Sequence, residues 1–426
     1  MKQFFLQSEK ILTHLFLITL PWQTRWIFHE GTLHNNYWEY ASLSLYAIDI
    51  IIIAIIILQM IRRKSFGTNF LLLSASLAVA LTSIYISSDK ILTLFHLAWF
   101  ILATGIVISL KNSFITKKNL VTTFVIGCAI AGFLGIYQFT SQKTFSQKWL
   151  GLAMHDSAEL GTSVVEATAP DGMLERWLRA YGPLDHPNML GGLMALGLIF
   201  AFWLAKTRTD TKNSTTNIIT ILAMVGLSGG LIVSFSRSAW LAACVGIILL
   251  LFFEIKKSRA ALQNLWLPLV TCVFVATLFA IPYYYLVTPR IFGDTRLENK
   301  SAIERVSGLR ESWTLVKQHP IIGSGLGNYG LALERIEPKQ IVWFYQPVHN
   351  IFALLLTEIG IFGTIIFLLV LVSLFLKAWR QGSDRALTLS LISACLMLML
   401  FDHWLISLHA GILIGASTLG LMLKNE

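Results

Sequence analysis

The stretch that decides the fold begins His349-Asn-Ile-Phe-Ala-Leu-Leu-Leu-Thr-Glu-Ile-Gly-Ile-Phe-Gly363 and stays apolar to about residue 376. Such a run is longer than the ~20 residues that a helix needs to cross the hydrocarbon core of a bilayer. It follows a long polar, charged and aromatic stretch that starts at Pro289. We therefore expect the chain to enter the membrane at His349 and the chemistry to lie in or beside the preceding stretch.

The composition indicates the same class along the whole chain. Hydrophobic residues make up 55% of the 426 residues and charged residues only 13%, whereas soluble domains carry about 25% charged residues. The apolar blocks lack the alternating pattern of an outer-membrane barrel. The sequence predicts an all-α polytopic membrane protein that forms a single membrane domain over residues 1–426. We expect twelve spans: 9–27, 41–61, 69–87, 91–110, 119–140, 189–205, 217–235, 239–254, 265–285, 350–376, 386–402 and 405–423.

The topology follows from basic residues, which are retained on the cytoplasmic side of short loops. One set of alternate connections holds Lys2, Lys10, Arg62, Arg63, Lys64, Lys111, Lys117, Lys118, Lys206, Arg208, Lys212, Lys256, Lys257, Arg259, Lys377, Arg380, Arg385 and Lys424. The short connections of the opposite set hold only Arg25, Lys90 and Arg237. Both termini are therefore predicted to be cytoplasmic, with two long external loops at about 141–188 and 286–349.

The second external loop is predicted to contain an amphipathic helix. Ser301 and Glu304 have the spacing of a capping box, and Pro320 stops the helix after about His319. Its apolar stripe consists of Ile303, Val306, Leu309, Trp313 and Val316. The helix is expected either to lie over the mouth of the bundle or simply to pack against it.

Several function classes are disfavoured. The net charge of +10 follows the membrane topology, so no nucleic-acid partner is implied. Gly325-Leu-Gly-Asn-Tyr-Gly330 matches G-x-G-x-x-G, but no strand precedes it, and tight turns explain these glycines better than a nucleotide. No H-x-x-x-H spacing occurs. We therefore predict no cofactor and a site that works without metal.

His349 is the candidate catalytic residue. A histidine at a membrane–water boundary can take a proton from an incoming hydroxyl, although interfacial histidines are often helix caps or plain surface residues. Asn350 and Glu358 follow on the same predicted helix, and Asp402 and His403 lie near the end of the eleventh. We expect these four to support the site, with helix capping as the alternative for the last two.

Four arginines are candidates for binding an anion. Arg179 precedes the sixth predicted helix, and Arg237 lies in the short connection Phe235-Ser-Arg-Ser-Ala-Trp240. An arginine at such a turn is costly without an anionic partner, and guanidinium groups match phosphate oxygens in paired hydrogen bonds. Arg305 and Arg310 in the external helix are further candidates. Snorkelling to the interface is the competing explanation.

Four motifs in order resemble the bacterial O-antigen ligase and polymerase superfamily. They are Arg179 with Gly182 and His186-Pro-Asn188, then Phe235–Trp240, then Trp313–Asn328, then His349–Gly363. The resemblance implies a metal-independent, inverting glycosyltransferase of the bacterial inner membrane whose site faces the periplasm. Arg179 and Arg237 would hold the diphosphate, and Arg305 and Arg310 would contact phosphate or glycan. His349 would activate the acceptor hydroxyl, and Tyr329, Trp343, Phe344 and Tyr345 could stack on sugars.

The resemblance implies an undecaprenyl-diphosphate-linked glycan as donor, with membrane lipid around its chain. The prominent loop after the ninth predicted helix favours an O-antigen ligase that uses lipid A-core as acceptor. Within the family, a polysaccharide polymerase is the main alternative. A protein O-glycosyltransferase is less expected, because such relatives usually carry a longer C-terminal region. A transporter of a lipid-linked oligosaccharide is the alternative from another class, but it would more often show charges near the midplane of both halves.

Overall fold

The structure is a computed structural model that describes residues 2–62, 70–208, 214–255, 259–293, 295–380 and 384–425. Five basic residues used in the topology prediction lie outside these ranges: Arg63, Lys64, Lys212, Lys256 and Lys257.

Helices form most of the described chain, as predicted. The first eight are α1 (Lys2–Thr19), α2 (Ala47–Arg62), α3 (Phe70–Ile86), α4 (Lys90–Asn112), α5 (Lys117–Ser141), α6 (Pro187–Lys206), α7 (Ser214–Val233) and α8 (Arg237–Ile255). The others are α9 (Arg259–Ala280), α10 (Tyr284–Phe292), α11 (Arg296–Gln318), α12 (Tyr329–Ile336), α13 (Ile351–Arg380), α14 (Arg385–Phe401), α15 (Trp404–Ser407) and α16 (His409–Leu423). Each of the twelve predicted segments overlaps a helix. Within the described ranges, seven helices are long and apolar enough to cross a membrane, so the polytopic class is confirmed and the number twelve stays a prediction.

The all-α prediction missed six short strands. They are β1 (Arg25–His29), β2 (Thr32–Leu33), β3 (Asn36–Tyr37), β4 (Leu43–Tyr46), β5 (Val164–Thr168) and β6 (Leu174–Leu178). They pair as three two-stranded antiparallel sheets, β1–β4, β2–β3 and β5–β6. The predicted first span also continued to residue 27, whereas α1 ends at Thr19, just before Pro21. Proline cannot continue the hydrogen-bonding pattern of a helix interior, and the following residues turn into β1 instead.

Helix α6 is the centre of the bundle. It packs against α5, α7 and α8, and nearly all of its side chains are buried, which explains why it is apolar on every face. Gly192 allows close contact with a neighbour, because a β-carbon there would lie 2.3 Å from the Trp404 ring. The start of α6, with His186 and Asn188, is thereby fixed in the middle of one end of the bundle.

Helix α13 is broken at Gly360, whose φ of +65° is not helical. The segment after α11 fills the break: Ser324 N–H donates to Thr357 O (2.9 Å), and Ile361 N–H donates to Pro320 O (2.9 Å). Gly323, Gly325 and Gly327 all have positive φ, a conformation that glycine adopts at no steric cost. Gly325 and Gly327 lie in tight turns, as predicted, whereas Gly330, the third glycine of that motif, lies inside α12.

Replacing Gly323 by alanine should destabilise this junction strongly. Its φ is +71°, and a β-carbon would lie 2.4 Å from the carbonyl carbon of Glu358. Gly172 is a matched control, because its φ is +86° but a β-carbon would meet nothing within 4 Å. Gly323→Ala should therefore lower the free energy of unfolding by about 1–3 kcal/mol more than Gly172→Ala does, as measured by denaturant titration in detergent. Equal losses would contradict the tight junction.

The external amphipathic helix exists, but its start was predicted wrongly. Helix α11 begins at Arg296, after Thr295, so the supposed capping box at Ser301 lies inside the helix. Its end at Gln318 agrees with the prediction. The apolar stripe is exposed at Ile303, Val306, Leu309 and Trp313 and is buried at Val316. Most of the stripe therefore does not pack against the bundle.

Candidate active site

Two segments distant in sequence bring His349 and Asp402 together. His349 precedes α13, Asp402 follows α14, and His349 Nδ1 lies 3.3 Å from Asp402 Oδ1. The Asp402 side chain is buried, whereas that of His349 is 29% exposed. Because a carboxylate only accepts hydrogen bonds, Nδ1 carries the proton. Nε2 then keeps its lone pair and has no hydrogen-bond partner among the described residues.

Asp402 is held as an ionised carboxylate by its surroundings. Its Oδ2 accepts from Asn188 Nδ2 (2.7 Å), and its Oδ1 also accepts from the His403 backbone N–H (2.8 Å). Burial alone would raise the pKa of Asp402, but the hydrogen bond from His349 and the nearby imidazoles outweigh it and hold the pKa well below its usual range. Asp402 can therefore orient the His349 ring and stabilise its protonated form.

Arg179 extends this chain of contacts from behind. Its Nη2 donates to Asn188 Oδ1 (2.7 Å) and its Nε to Ser234 O (2.9 Å). The side chain is buried. Arg179 was predicted to hold a diphosphate directly. In the structure its guanidinium group donates to Ser234 and Asn188 instead, and thereby positions the Asn188 side chain. Asn188 itself was not among the predicted site residues, although it stood in the quoted motif at the start of a fully apolar helix.

Arg237 has an anionic partner within the protein. Its Nη2 forms an ion pair with Glu298, at 2.9 Å from Oε2. Arg290 bonds to the other oxygen of Glu298 and donates from Nε to Phe235 O (3.0 Å). The cost of an arginine at this turn is thus offset without a ligand. The Arg237 side chain is still 33% exposed and keeps donors available.

Arg305 and Arg310 are on different faces of α11. Five residues of an α-helix turn it by about 140° beyond one full turn. Arg305 is half-buried and Arg310 exposed. Burial lowers the pKa of the Arg305 guanidinium group, and the nearby Arg237 lowers it further. Asp402 and Glu298 raise this pKa, but its net value stays below the ordinary one. Arg305 therefore interacts electrostatically with Asp402, whereas Arg310 is exposed on another face of the helix.

The remaining predicted residues have separate roles. Asn350 caps α13, with Oδ1 accepting from Ala353 N–H (2.9 Å), and donates from Nδ2 to Leu400 O (2.9 Å). Glu358 is buried and accepts from Tyr329 N–H (3.4 Å), so it anchors the start of α12 and does not reach His349. His403 lies with its ring centroid 5.0 Å from that of His349.

The same cluster could offer ligands to a metal ion. One ligand atom each from His349, Asp402 and His403 lie within 4.8 Å of one another. Histidine spacing in the sequence did not signal this, because the ligands come from two separate segments. Hydrogen bonds to Asn188, His349 and the His403 N–H already satisfy Asp402. These contacts account for the carboxylate without an ion, and metal independence stays a prediction.

Buried neutral histidines should make the protein less stable in acid. Burial, and next the nearby His349, lower the pKa of His403 to about 3 from 6.5. The unfolded chain then binds a proton that the folded chain excludes, so stability is full above about 6.5 and is lost as the pH falls towards 3. In His403→Asn, the melting temperature should fall less between pH 7 and pH 4 than in the wild type. Asp185, with a pKa raised to about 6 by burial, acts in the opposite direction in both proteins, so an unchanged difference would exclude His403 as a source.

The helices and this cluster define a polytopic α-helical membrane protein with an ionisable site at one end of its bundle. Residues 222–368 match the family model described as O-antigen ligase, a region that includes Arg237, Arg305 and His349. This region of the chain is thus similar to the O-antigen ligase family, in agreement with the resemblance that the motifs predicted.

A search of curated proteins finds no match. Among solved structures, one described as "Structural coordination of polymerization and crosslinking by a peptidoglycan synthase complex" aligns over 84% of this chain and 97% of that chain, at 13% identity and a TM-score of 0.36. A likeness of this degree supports no inference about function.

Proposed function

We propose that the protein transfers a glycan from undecaprenyl diphosphate to an acceptor sugar hydroxyl, as an O-antigen ligase acting on lipid A-core. The observation that carries this proposal is the His349–Asp402 pair beside a surplus of guanidinium groups. A base next to a cationic site suits a reaction in which a hydroxyl loses a proton and an anion departs.

The cationic surplus supports a diphosphate ligand. Arg179, Arg237, Arg290 and Arg305 influence one another electrostatically, and the carboxylates among them are Glu298 and Asp402. Neither carboxylate can neutralise all four. A diphosphate would share the unused donors of Arg237 and Arg305, and negative charge on the leaving group would be stabilised as it develops.

The proposed step balances as a single displacement. His349 Nε2 removes the proton of the acceptor hydroxyl while its oxygen forms a bond to the anomeric carbon. The bond from that carbon to the diphosphate oxygen breaks, and its electrons leave with undecaprenyl diphosphate. The configuration inverts because attack and departure occur on opposite faces. The proton stays on the imidazole, whose charge Asp402 stabilises until release.

We further propose that the site faces the periplasm and that both termini are cytoplasmic. The opposite ends of the helices carry the basic residues of the topology prediction, with Lys206 bonded to Glu254 (2.8 Å) and Arg62 to Glu9 (2.9 Å). Retention of such residues in the cytoplasm supports this orientation. The undecaprenyl chain would then lie in the outer leaflet beside the bundle.

The test is reconstitution of the purified full-length protein in vesicles with a defined undecaprenyl-diphosphate glycan. Lipid A-core, a second polymer chain and a peptide are offered as acceptors. Transfer to lipid A-core supports the ligase, and transfer to the polymer would show a polymerase instead. Movement of the donor without any transfer would mean a transporter and overturn the proposal. Activity that persists with a strong chelator supports metal independence, whereas rescue by divalent ions would refute it.

Arg305 and Arg310 provide a matched test of the donor site. Loss of one donor to a developing charge lowers turnover by about 10²-fold, and we expect this for Arg305→Gln. Arg310→Gln removes the same charge from the same helix on another face and should change kcat/KM for the donor little. Steady-state kinetics with varied donor concentration measures both. Similar effects of the two variants would indicate general electrostatic attraction and contradict a specific role of Arg305.

A further inference from the structure

A cleft of about 750 Å³ lies between the β2–β3 hairpin and the segment that follows α12. Its volume is in the range of ligand sites, which are typically ~300–1,000 Å³. One wall carries Tyr37 and Trp38, and the other carries Gln340, Trp343 and Gln346. The resemblance had already suggested sugar stacking for Trp343, and none of these residues takes part in the proton transfer or the bond changes of the proposed step.

The walls of the cleft are fixed to each other by polar contacts. Trp38 Nε1 donates to Tyr345 O (3.0 Å), and His34 Nε2 lies 3.1 Å from Glu334 Oε1. The Tyr345 hydroxyl donates to Glu337 O (2.6 Å). These contacts fix the shape of the cleft. They join two segments about three hundred residues apart in sequence.

The lining combines exposed rings with unused amides. The side chains of Trp343 and Tyr37 are 73% and 51% exposed, although buried aromatic contacts would stabilise the fold more. Gln340 and Gln346 have no side-chain hydrogen-bond partner within the described part of the chain. Aromatic faces pack on the C–H faces of sugars, and amides can donate to and accept from hydroxyls. This lining suits a carbohydrate.

The charges at the cleft favour a neutral ligand. Glu39 is paired with Arg25 at 3.1 Å, and His34 with Glu334. The lining therefore offers neither an unpaired carboxylate nor an unpaired cation, in contrast to the arginines near Glu298. A diphosphate would gain little electrostatic binding energy here, whereas an uncharged glycan does not need such an interaction.

Packed aromatic rings connect the cleft to the candidate base. Tyr40 lines the cleft, its ring lies 6.3 Å from that of His403, and His403 lies 5.0 Å from His349. Asn188 and Arg179 approach Asp402 through its other oxygen. His403 therefore lies between the cleft residue Tyr40 and His349, and Asp402 lies between His349 and the Asn188–Arg179 pair.

We propose that this cleft binds the acceptor glycan and delivers its hydroxyl to His349. The proposal rests on the proposed transfer reaction, in which the hydroxyl attacks from the face opposite the departing diphosphate. With the diphosphate on the arginines, the acceptor must approach from elsewhere, and the cleft combines sugar-binding chemistry with a position near His349, from which Tyr40 and His403 separate it. Trp343 and Gln346 then set the acceptor affinity and leave the donor untouched.

The kinetic test uses Trp343→Ala and Gln346→Ala in the reconstituted full-length protein. Each should raise the KM for the acceptor by about tenfold, the effect of losing a strong contact in an interface, with kcat and the KM for the donor unchanged. Trp149→Ala is the control, since Trp149 is 80% exposed and does not line the cleft. If the wild type transfers glycan but both variants keep the acceptor KM, the cleft proposal is wrong and the transfer function stands. That result would instead make Trp343 an interfacial anchor.

A binding test separates the two proposals. Saturation-transfer NMR is run with delipidated core oligosaccharide and, separately, with a soluble fragment of the donor polysaccharide. Saturable binding of either one by the wild type and by His349→Gln, with loss in Trp343→Ala, supports the cleft, and the fragment that binds names the acceptor source. If the wild type binds in this way but transfers nothing, the transfer function fails and the glycan site remains. Binding that is unchanged in Trp343→Ala overturns the cleft proposal.

Discussion

Replacement of His349 by glutamine is expected to lower the rate of glycan transfer by about 10²–10⁴-fold, the range that a positioned general base contributes. Glutamine fills a similar volume and can still donate to Asp402, so the fold should survive. What it lacks is a nitrogen that accepts a proton at neutral pH. The measurement is kcat for transfer in vesicles, with donor binding followed separately by the amount of lipid-linked glycan retained on the purified protein.

His319→Gln is the matched control for this change. His319 is also a histidine at the end of a polar segment, but it is exposed, and within the described ranges its hydrogen bonds are those of its backbone. Transfer by this variant should equal that of the wild type. If His349→Gln retained near-normal turnover, the role of His349 as base would be untenable.

Asp402→Asn is expected to lower turnover by a comparable factor, about 10²–10⁴-fold, although Asp402 itself contacts no substrate in the proposed step. In an unrelated family of hydrolases, an aspartate-to-asparagine change beside the catalytic histidine has an effect near the upper end of this range by favouring the wrong tautomer. Here asparagine carries no charge to stabilise the protonated His349. Its amide nitrogen would face donors in either orientation, either His349 Nδ1 and the His403 N–H or the Asn188 amide, so the proton of His349 would no longer be held on Nδ1 as it is by the carboxylate. Donor binding should persist.

Asp49→Asn controls for the removal of a buried carboxylate. Asp49 Oδ1 lies 2.7 Å from His409 Nε2, so it forms the same type of pair elsewhere in the bundle. Asp49→Asn should reduce stability and leave kcat per folded molecule, and its pH profile, unchanged. Asp402→Asn should instead change the pH profile of kcat. Equal loss of folded protein with no change in the profile of either variant would assign Asp402 a purely structural role.

The sequence alone predicted the helices well, because long apolar runs have few alternatives in a bilayer. The predicted span over 350–376 and helix α13 (Ile351–Arg380) nearly coincide. The break at Gly360 could not be foreseen, since it depends on backbone groups of the segment before α12. Strands β1 and β4 were missed for a similar reason. They pair with each other, but their sequences are too short and too mixed to show an alternating pattern.

Some residues of the candidate site were named from the sequence, and their roles stay predictions. His349 and Arg237 stood out from their positions at helix ends, and Asp402 was named as a supporting residue. Their connections run over 53 residues for His349–Asp402 and 214 for Asn188–Asp402, and no local pattern reports such distances. The charge of Arg179 suggested a ligand, whereas burial against Ser234 O and Asn188 gave it another partner. Exposure and pairing, which decide between these roles, are properties of the folded chain.

The break in α13 also sets how deep the chemistry lies. The part of the helix before Gly360 has about nine residues and is therefore ~13 Å long, close to half of a ~30 Å hydrocarbon core. In the proposed orientation, in which His349 lies at the outer surface, Gly360 and the turn that fills its break would reach the middle of the bilayer. Irregular backbone is tolerated at that depth only when protein groups satisfy it, as Pro320 and Ser324 do here. The short half-helix thus acts as a spacer, and adding or removing one residue within it would shift His349 along the membrane normal and rotate it away from Asp402.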